Sequence, residues 1–66
     1  MEVTVNGLPR QVPDGLTVRE LVELLGLTQG PVAVEVNRAI VPRARHAEHG
    51  VSAGDVIEIV HFVGGG

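Results

Sequence analysis

Leu16-Thr17-Val18-Arg19-Glu20-Leu21-Val22-Glu23-Leu24-Leu25-Gly26-Leu27 carries both a start and a stop signal for a short amphipathic helix. Thr17 stands three residues before Glu20, the spacing of a capping box, in which each side chain satisfies a backbone N–H that the first helical turn leaves open. Leu16 and Leu21 flank that cap at the staple positions. Val18, Leu21, Val22 and Leu25 recur at i, i+3, i+4 and i+7, and Leu24 widens the stripe. Gly26 then supplies the residue after the cap, and Leu27 the apolar residue beyond it, as in a Schellman ending. These signals predict a helix from Val18 to Leu25. A helix this short is unstable alone, so its apolar face needs a sheet to lie on.

Strand patterns stand on both sides of it. Glu2 to Asn6 alternates, with Val3 and Val5 on one face. Asn6-Gly7 is a hairpin signal, because both residues tolerate the positive φ of a type I′ turn. Arg10-Gln11-Val12 reads as the returning strand, with Pro9 near its start marking an edge or an irregular entry, and Pro13-Asp14-Gly15 as a turn. After the helix, Val32 to Val36 puts Val32, Val34 and Val36 on one face. Asn37-Arg38 is a tight turn, and Ala39-Ile40-Val41 a short strand stopped by Pro42. Arg43 to Gly50 is polar, a loop or a single helical turn. Ser52 to Asp55 turns into a last strand, Val56 to Val63. The order β-β-α-β-β-β predicts an α+β chain of β-grasp architecture, a mixed four- or five-stranded sheet packed on one main helix. The first and last strands would pair in parallel at its centre, since the helical crossover permits it. A ferredoxin-like half and a plain α+β sandwich are the competing arrangements. Residues 1–63 read as the domain and residues 64–66 as a flexible glycine tail.

Composition narrows the function. The chain has 66 residues and no cysteine, which excludes disulfides and Cys-based metal sites. A domain of this size buries only about 60% of the surface its unfolded chain exposes. The net charge is −3 and Phe62 is the sole aromatic residue, so a basic face with stacking platforms for nucleic acid is missing. No apolar run approaches the roughly 20 residues of a membrane-spanning helix. The N-terminal Met1-Glu2-Val3-Thr4 lacks a basic leader and the apolar core of a signal peptide, so a cytoplasmic protein is expected.

Gly64-Gly65-Gly66 directly follows the last strand. Glycine permits close backbone approach and any φ/ψ, so such a tail can thread a narrow channel and present the Gly66 carboxylate. A carboxylate is a poor electrophile, but adenylation by ATP makes it a mixed anhydride that sulfur can attack. The product is a thiocarboxylate on a flexible arm. The bland alternative is a frayed terminus.

Asn37-x-x-x-Val41-Pro42-Arg43, Gly54-Asp55-x-Ile57-Glu58-Ile59 and Val63-Gly64-Gly65-Gly66 resemble the ThiS family, the sulfur carriers of thiamin biosynthesis. Asn6-Gly7 and Thr17-Val18-x-Glu20-Leu21 resemble it too, so the likeness covers essentially the whole chain. The resemblance implies that an E1-like, ThiF-like partner adenylates Gly66 with ATP, the chain itself binding no cofactor. Sulfur then comes from a cysteine-desulfurase persulfide. The thiocarboxylate goes to thiazole synthase, a ThiG-like (β/α)₈ barrel that forms thiazole phosphate. On this reading Gly66 is the modified residue, Gly65 its required neighbour and Gly64 an additional residue, and the chain is a cosubstrate rather than an enzyme. Sulfur carriage for molybdopterin synthesis or tRNA 2-thiolation, a ubiquitin-like protein modifier, and an interaction domain with an inert tail stay open.

A docking surface is expected beside the tail. If Ile57 and Ile59 face the helix, Val60 and Phe62 stand on the opposite face, as an apolar patch for a partner. The alternative is that Phe62 folds onto the sheet or covers the Val32/Val34 face. Arg43 is a third candidate contact, its alternative being to cap a turn carbonyl. His46-x-x-His49 with Glu48 between is too thin a set for a metal, and none is assigned. His61 falls on the last strand with no evident partner.

Overall fold

The computed structural model describes residues 1–62. The chain runs β1 (Glu2–Val5), β2 (Leu8–Gln11), α1 (Val18–Leu24), β3 (Val32–Val36), β4 (Ala39–Val41), a 3₁₀ turn (Arg43–Arg45) and β5 (Val56–His61). One five-stranded sheet has the order β2-β1-β5-β3-β4. β1 and β5 are parallel, and every other pairing is antiparallel. This is the expected β-grasp arrangement, with the last strand in the middle of the sheet.

The helix forms as its local signals require. Thr17 Oγ1 accepts from Glu20 N at 3.2 Å, and Glu20 Oε1 accepts from Thr17 N at 3.0 Å, closing the capping box. Gly26 adopts φ +74°. Its N–H reaches Glu23 O, and Leu27 N reaches Val22 O, the two bonds of a Schellman ending. Leu25, read from sequence as helical, is the C-cap. The remaining N-terminal donors are met from elsewhere: Val18 N bonds His49 O at 2.8 Å and Arg19 N bonds His46 O at 2.9 Å. No free cluster of N–H groups is left there to hold an anion.

Two strand boundaries differ from the sequence reading. β2 begins at Leu8 rather than Arg10, because the Asn6-Gly7 turn, with φ +50° and +82°, occupies only those two residues. Pro9 is tolerated there because it lies opposite Thr4, whose own N–H points the other way, to Asp55 O. The proline nitrogen therefore faces away from β1, on the outer edge of the sheet. β5 ends at His61 rather than Val63. Its last partner is Val32, and the residue before Val32 is Pro31, which has no N–H to extend the ladder.

The core is aliphatic. Val3, Val5, Val34, Val36, Ile57 and Ile59 bring the inner face of the sheet against Val18, Leu21 and Val22 of α1. Val12, Val41 and Val51 close its rim. Fully burying a side chain of this kind stabilises by about 1.5–3 kcal/mol, and Leu21, Val18 and Ile57 are wholly inaccessible. Among the described residues no helix is long and apolar enough to cross a membrane.

Candidate functional site

Gly64, Gly65 and Gly66 lie outside the described residues, as does Val63. The candidate site is therefore approached through β5, the strand that leads to them, and through the residues that hold it.

Both ends of β5 are fixed by asparagine side chains. At its start, Asn37 Oδ1 accepts from Val56 N at 2.9 Å, and Asn37 Nδ2 donates to Asp55 Oδ1 at 3.0 Å. The other oxygen of Asp55 accepts from Ser52 N at 2.8 Å, so one carboxylate ties the preceding turn to the β3–β4 turn. Near its far end, Asn6 Oδ1 accepts from Ile59 N at 2.7 Å and Asn6 Nδ2 donates to Ile59 O at 3.1 Å. Asn6 itself has left the strand conformation, with φ +50°. Its carboxamide thus supplies the next donor and acceptor that β1 no longer offers.

Past Ile59, the described residues of the strand pair with the β3 side. Phe62 N donates to Pro31 O at 3.0 Å. Gly30, at φ +151°, lies so close beneath that a Cβ on it would fall 2.7 Å from Phe62 O. Glycine is required there by backbone conformation and by contact together. His61 turns toward the same loop. Its Nε2 is shielded from water and has no hydrogen-bond partner among the described residues.

The outer face of β5 carries Val56, Glu58 and Val60, followed by Phe62. Val60 and Phe62 are 54% and 55% exposed. Ala33 lies opposite Val60 and Glu35 opposite Glu58, while Ile40 stands out from β4 at the edge. The outer face of β5 and its neighbours is thus a mixture of apolar groups and two facing carboxylates. Like charges directly opposite on neighbouring strands repel, and neither glutamate has an ion-pair partner among the described residues.

Arg43 does not share that surface. It lines an open groove of about 500 Å³ with Arg19, Glu23, Gly30 and His46, on the helix side of the sheet. His46 is buried and its Nε2 bonds Val41 O at 3.0 Å, so this imidazole is a structural donor under the 3₁₀ turn. His49 and Glu48 are exposed. No group of three potential metal ligands occurs among the described residues.

Sequence reasoning missed three parts of this site. It read Asn6 as a turn residue and Asn37 likewise, though each also acts as a clamp. It passed over Gly30, whose neighbour Pro31 was the one local sign of a tight passage. It did not register Glu35 and Glu58 as a pair, because strand register is needed to set them opposite.

Comparison with known proteins adds to this geometry. The profile of the ThiS family matches residues 3–66. The chain is 38% identical to the sulfur carrier protein ThiS of Escherichia coli, over all of both chains. It is 42% identical to a thiazole synthase of Paramagnetospirillum magneticum over its whole length, but spans only 20% of that protein. A similar thiazole synthase of Magnetococcus marinus is 39% identical, again over 20% of its length. Among solved structures, the crystal structure of the thiamine biosynthesis protein (ThiS) of Geobacter metallireducens superposes with a TM-score of 0.84, at 38% identity and with both chains fully covered.

Proposed function

The chain belongs to the ThiS family, whose members include sulfur carrier proteins, and from that premise we propose that it carries sulfur as a thiocarboxylate on Gly66. An E1-like adenylating enzyme uses ATP to convert the Gly66 carboxylate into an acyl adenylate. The outer sulfur of a cysteine-desulfurase persulfide, carried to the site as a protein persulfide, then displaces AMP to give an acyl disulfide, and a thiol cleaves its S–S bond to release the thiocarboxylate and leave a disulfide. The thiocarboxylate passes to a thiazole synthase, which takes the sulfur into thiazole phosphate. The chain is the cosubstrate of these cytoplasmic enzymes: it supplies an acyl group and a docking surface, and binds no cofactor itself.

One observation carries the choice of thiazole synthesis over other sulfur-carrier pathways. Two thiazole synthases contain a segment 39–42% identical to this whole chain. In those proteins a carrier-like segment and a thiazole synthase share one polypeptide, as expected where transfer runs from the first to the second. The fold supports the reading physically. A strand anchored at Val56 and Ile59 and flanked by β1 and β3 is a rigid root from which a glycine tail can be offered to an enzyme.

Intact mass of the protein after incubation with ATP, the adenylating enzyme and a sulfur donor tests the proposal. Exchange of oxygen for sulfur through the activated acyl group adds about 16 Da. Absence of that gain, or its survival after deletion of Gly66, refutes sulfur carriage on this residue. Transfer is then read as loss of the added mass when thiazole synthase and its other substrates are supplied. Retention of the mass there refutes the thiazole assignment alone.

A further inference from the structure

Glu35 and Glu58 stand opposite each other on the outer face of the sheet, both exposed. Ladder parity makes them a hydrogen-bonded pair, since Asn37 N bonds Val56 O on one side of them and Phe62 N bonds Pro31 O on the other. Residues paired in this way lie roughly 5.5 Å apart at Cα, and like charges placed directly opposite destabilise the sheet. The chain's own cations do not relieve this repulsion. Of Arg10, Arg19, Arg38, Arg43 and Arg45, only Arg19 forms an ion pair among the described residues, and its partner is Glu23 on the helix. Apolar groups surround the two carboxylates. Ala33 and Val60 form the next outward-facing pair along the ladder, Val56 stands two residues before Glu58, and Ile40 faces Glu35 from β4. Ile40 is 75% exposed, the most open large apolar side chain among the described residues.

We propose that Glu35 and Glu58 are specificity-determining residues of this carrier, and that they admit a surface of thiazole synthase that sets an arginine between them. The inference rests on the thiazole reading and adds which side chains select the partner. The choice of partner follows from the two thiazole synthases that hold a segment similar to this whole chain. The chemistry of the contact follows from charge complementarity. A surface that covers Ile40 and Val60 also takes the two carboxylates out of water, which is unfavourable unless a cation meets them. A guanidinium suits two neighbouring carboxylates better than an ammonium does, because its planar fork presents several donors in fixed directions. An apolar surface without that cation is refused, since it would leave two buried charges unpaired. A second copy of this chain docked by the same face is refused for the same reason: a symmetric contact would bring four carboxylates together.

Titration calorimetry of the full-length protein against thiazole synthase tests the proposal, with the double variant Glu35→Gln/Glu58→Gln beside wild type. Glutamine keeps the size of the side chain and removes its charge. The double variant is expected to bind at least about tenfold more weakly. Glu48→Gln is the control, because Glu48 is exposed on the loop after the 3₁₀ turn and its loss changes the net charge without touching the pair. In the free protein the double variant is expected to unfold at or above the wild-type temperature, since the repulsion is gone. Wild-type affinity in the double variant, or an equal loss per charge in Glu48→Gln, overturns the proposal and leaves the thiazole reading standing. A lowered unfolding temperature overturns it as well, because the carboxylates would then stabilise the free sheet. If sedimentation of the protein alone shows self-association that the double variant abolishes, the occupant is a second copy and the proposal is wrong. If wild type does not bind thiazole synthase at all, the proposal and the thiazole reading fail together.

Discussion

The carboxamide of Asn6 bonds both the N–H and the C=O of Ile59, a residue 53 positions away in sequence. This pair joins the first turn of the chain to the last strand. It does so where β1 has stopped, so a side chain performs the work of one more ladder residue. Asn suits the position twice over, because it also tolerates the left-handed conformation of a type I′ turn.

Asn6→Gly separates these two roles. Glycine keeps the turn, so any loss reports the two side-chain bonds. Each is worth about 0.5–1.5 kcal/mol net, and the Ile59 N–H is left without its partner. Urea unfolding is expected to show a destabilisation of roughly 1–3 kcal/mol, with faster amide exchange at Ile59. Wild-type stability in this variant would mean that β5 does not depend on the clamp.

The second type I′ turn is less well suited to its residues. Asn37 and Arg38 have φ +51° and +70°, and arginine has no special tolerance for that region. The left-handed conformation costs an ordinary L-residue roughly 1–2 kcal/mol. Arg38→Gly relieves this, partly offset by the greater freedom of glycine in the unfolded chain. A net gain of about 0.5–1 kcal/mol is expected, raising the thermal midpoint by a few degrees for a domain of this size. A lowered midpoint would show that the Arg38 side chain makes a contribution larger than the backbone strain.

These two turns show what could be read from sequence and what could not. The helix was legible nearly to the residue because its signals are local: Thr17 and Glu20 are three positions apart, and Gly26 follows at once. The inside-out order of Ile57, Glu58, Ile59 and Val60 was legible from alternation. β2 was placed two residues late because all four of its residues are exposed, which removes the hydrophobic rhythm that marks a strand. The clamps of Asn6 and Asn37 span 53 and 19 positions, and no local pattern encodes a contact at that range. The glycine tail lies outside the described residues, whereas the close contact of Gly30 with the strand leading to it follows only from the three-dimensional arrangement.

Gly30 packs against the end of β5. With φ +151° and only 2.7 Å between a would-be Cβ and Phe62 O, alanine is strained in backbone and obstructed in space. Gly30→Ala is expected to cost roughly 1–3 kcal/mol. The effect should concentrate at the end of β5, where amide exchange of Phe62 would accelerate as the bond to Pro31 O opens. Uniform loss across the domain, with Phe62 protected as before, would argue that the loop yields instead and that the contact does not hold the strand.

Phe62 and Val60 face away from the core on the outer face of the sheet, and Arg43 lies on the helix side, so variants at these positions report which side a partner occupies. Phe62 is 55% exposed, and truncating a side chain on the surface usually changes stability by no more than about 0.5 kcal/mol. An aromatic group in the centre of an interface, by contrast, commonly contributes about 2 kcal/mol or more on truncation. Phe62→Ala is therefore expected to leave thermal unfolding nearly unchanged while weakening binding to the adenylating enzyme by roughly thirtyfold. Val60→Ala should weaken it less, in proportion to its smaller area. Arg43→Ala, made alongside and measured by the same titration calorimetry, distinguishes the two sides. A loss at Arg43 with none at Phe62 would move the docking surface to the groove between the helix and the 3₁₀ turn. Loss at Phe62 alone would assign the tail and the outer sheet face to one continuous interface, with the facing carboxylates of Glu35 and Glu58 inside it and in need of a cation from the partner.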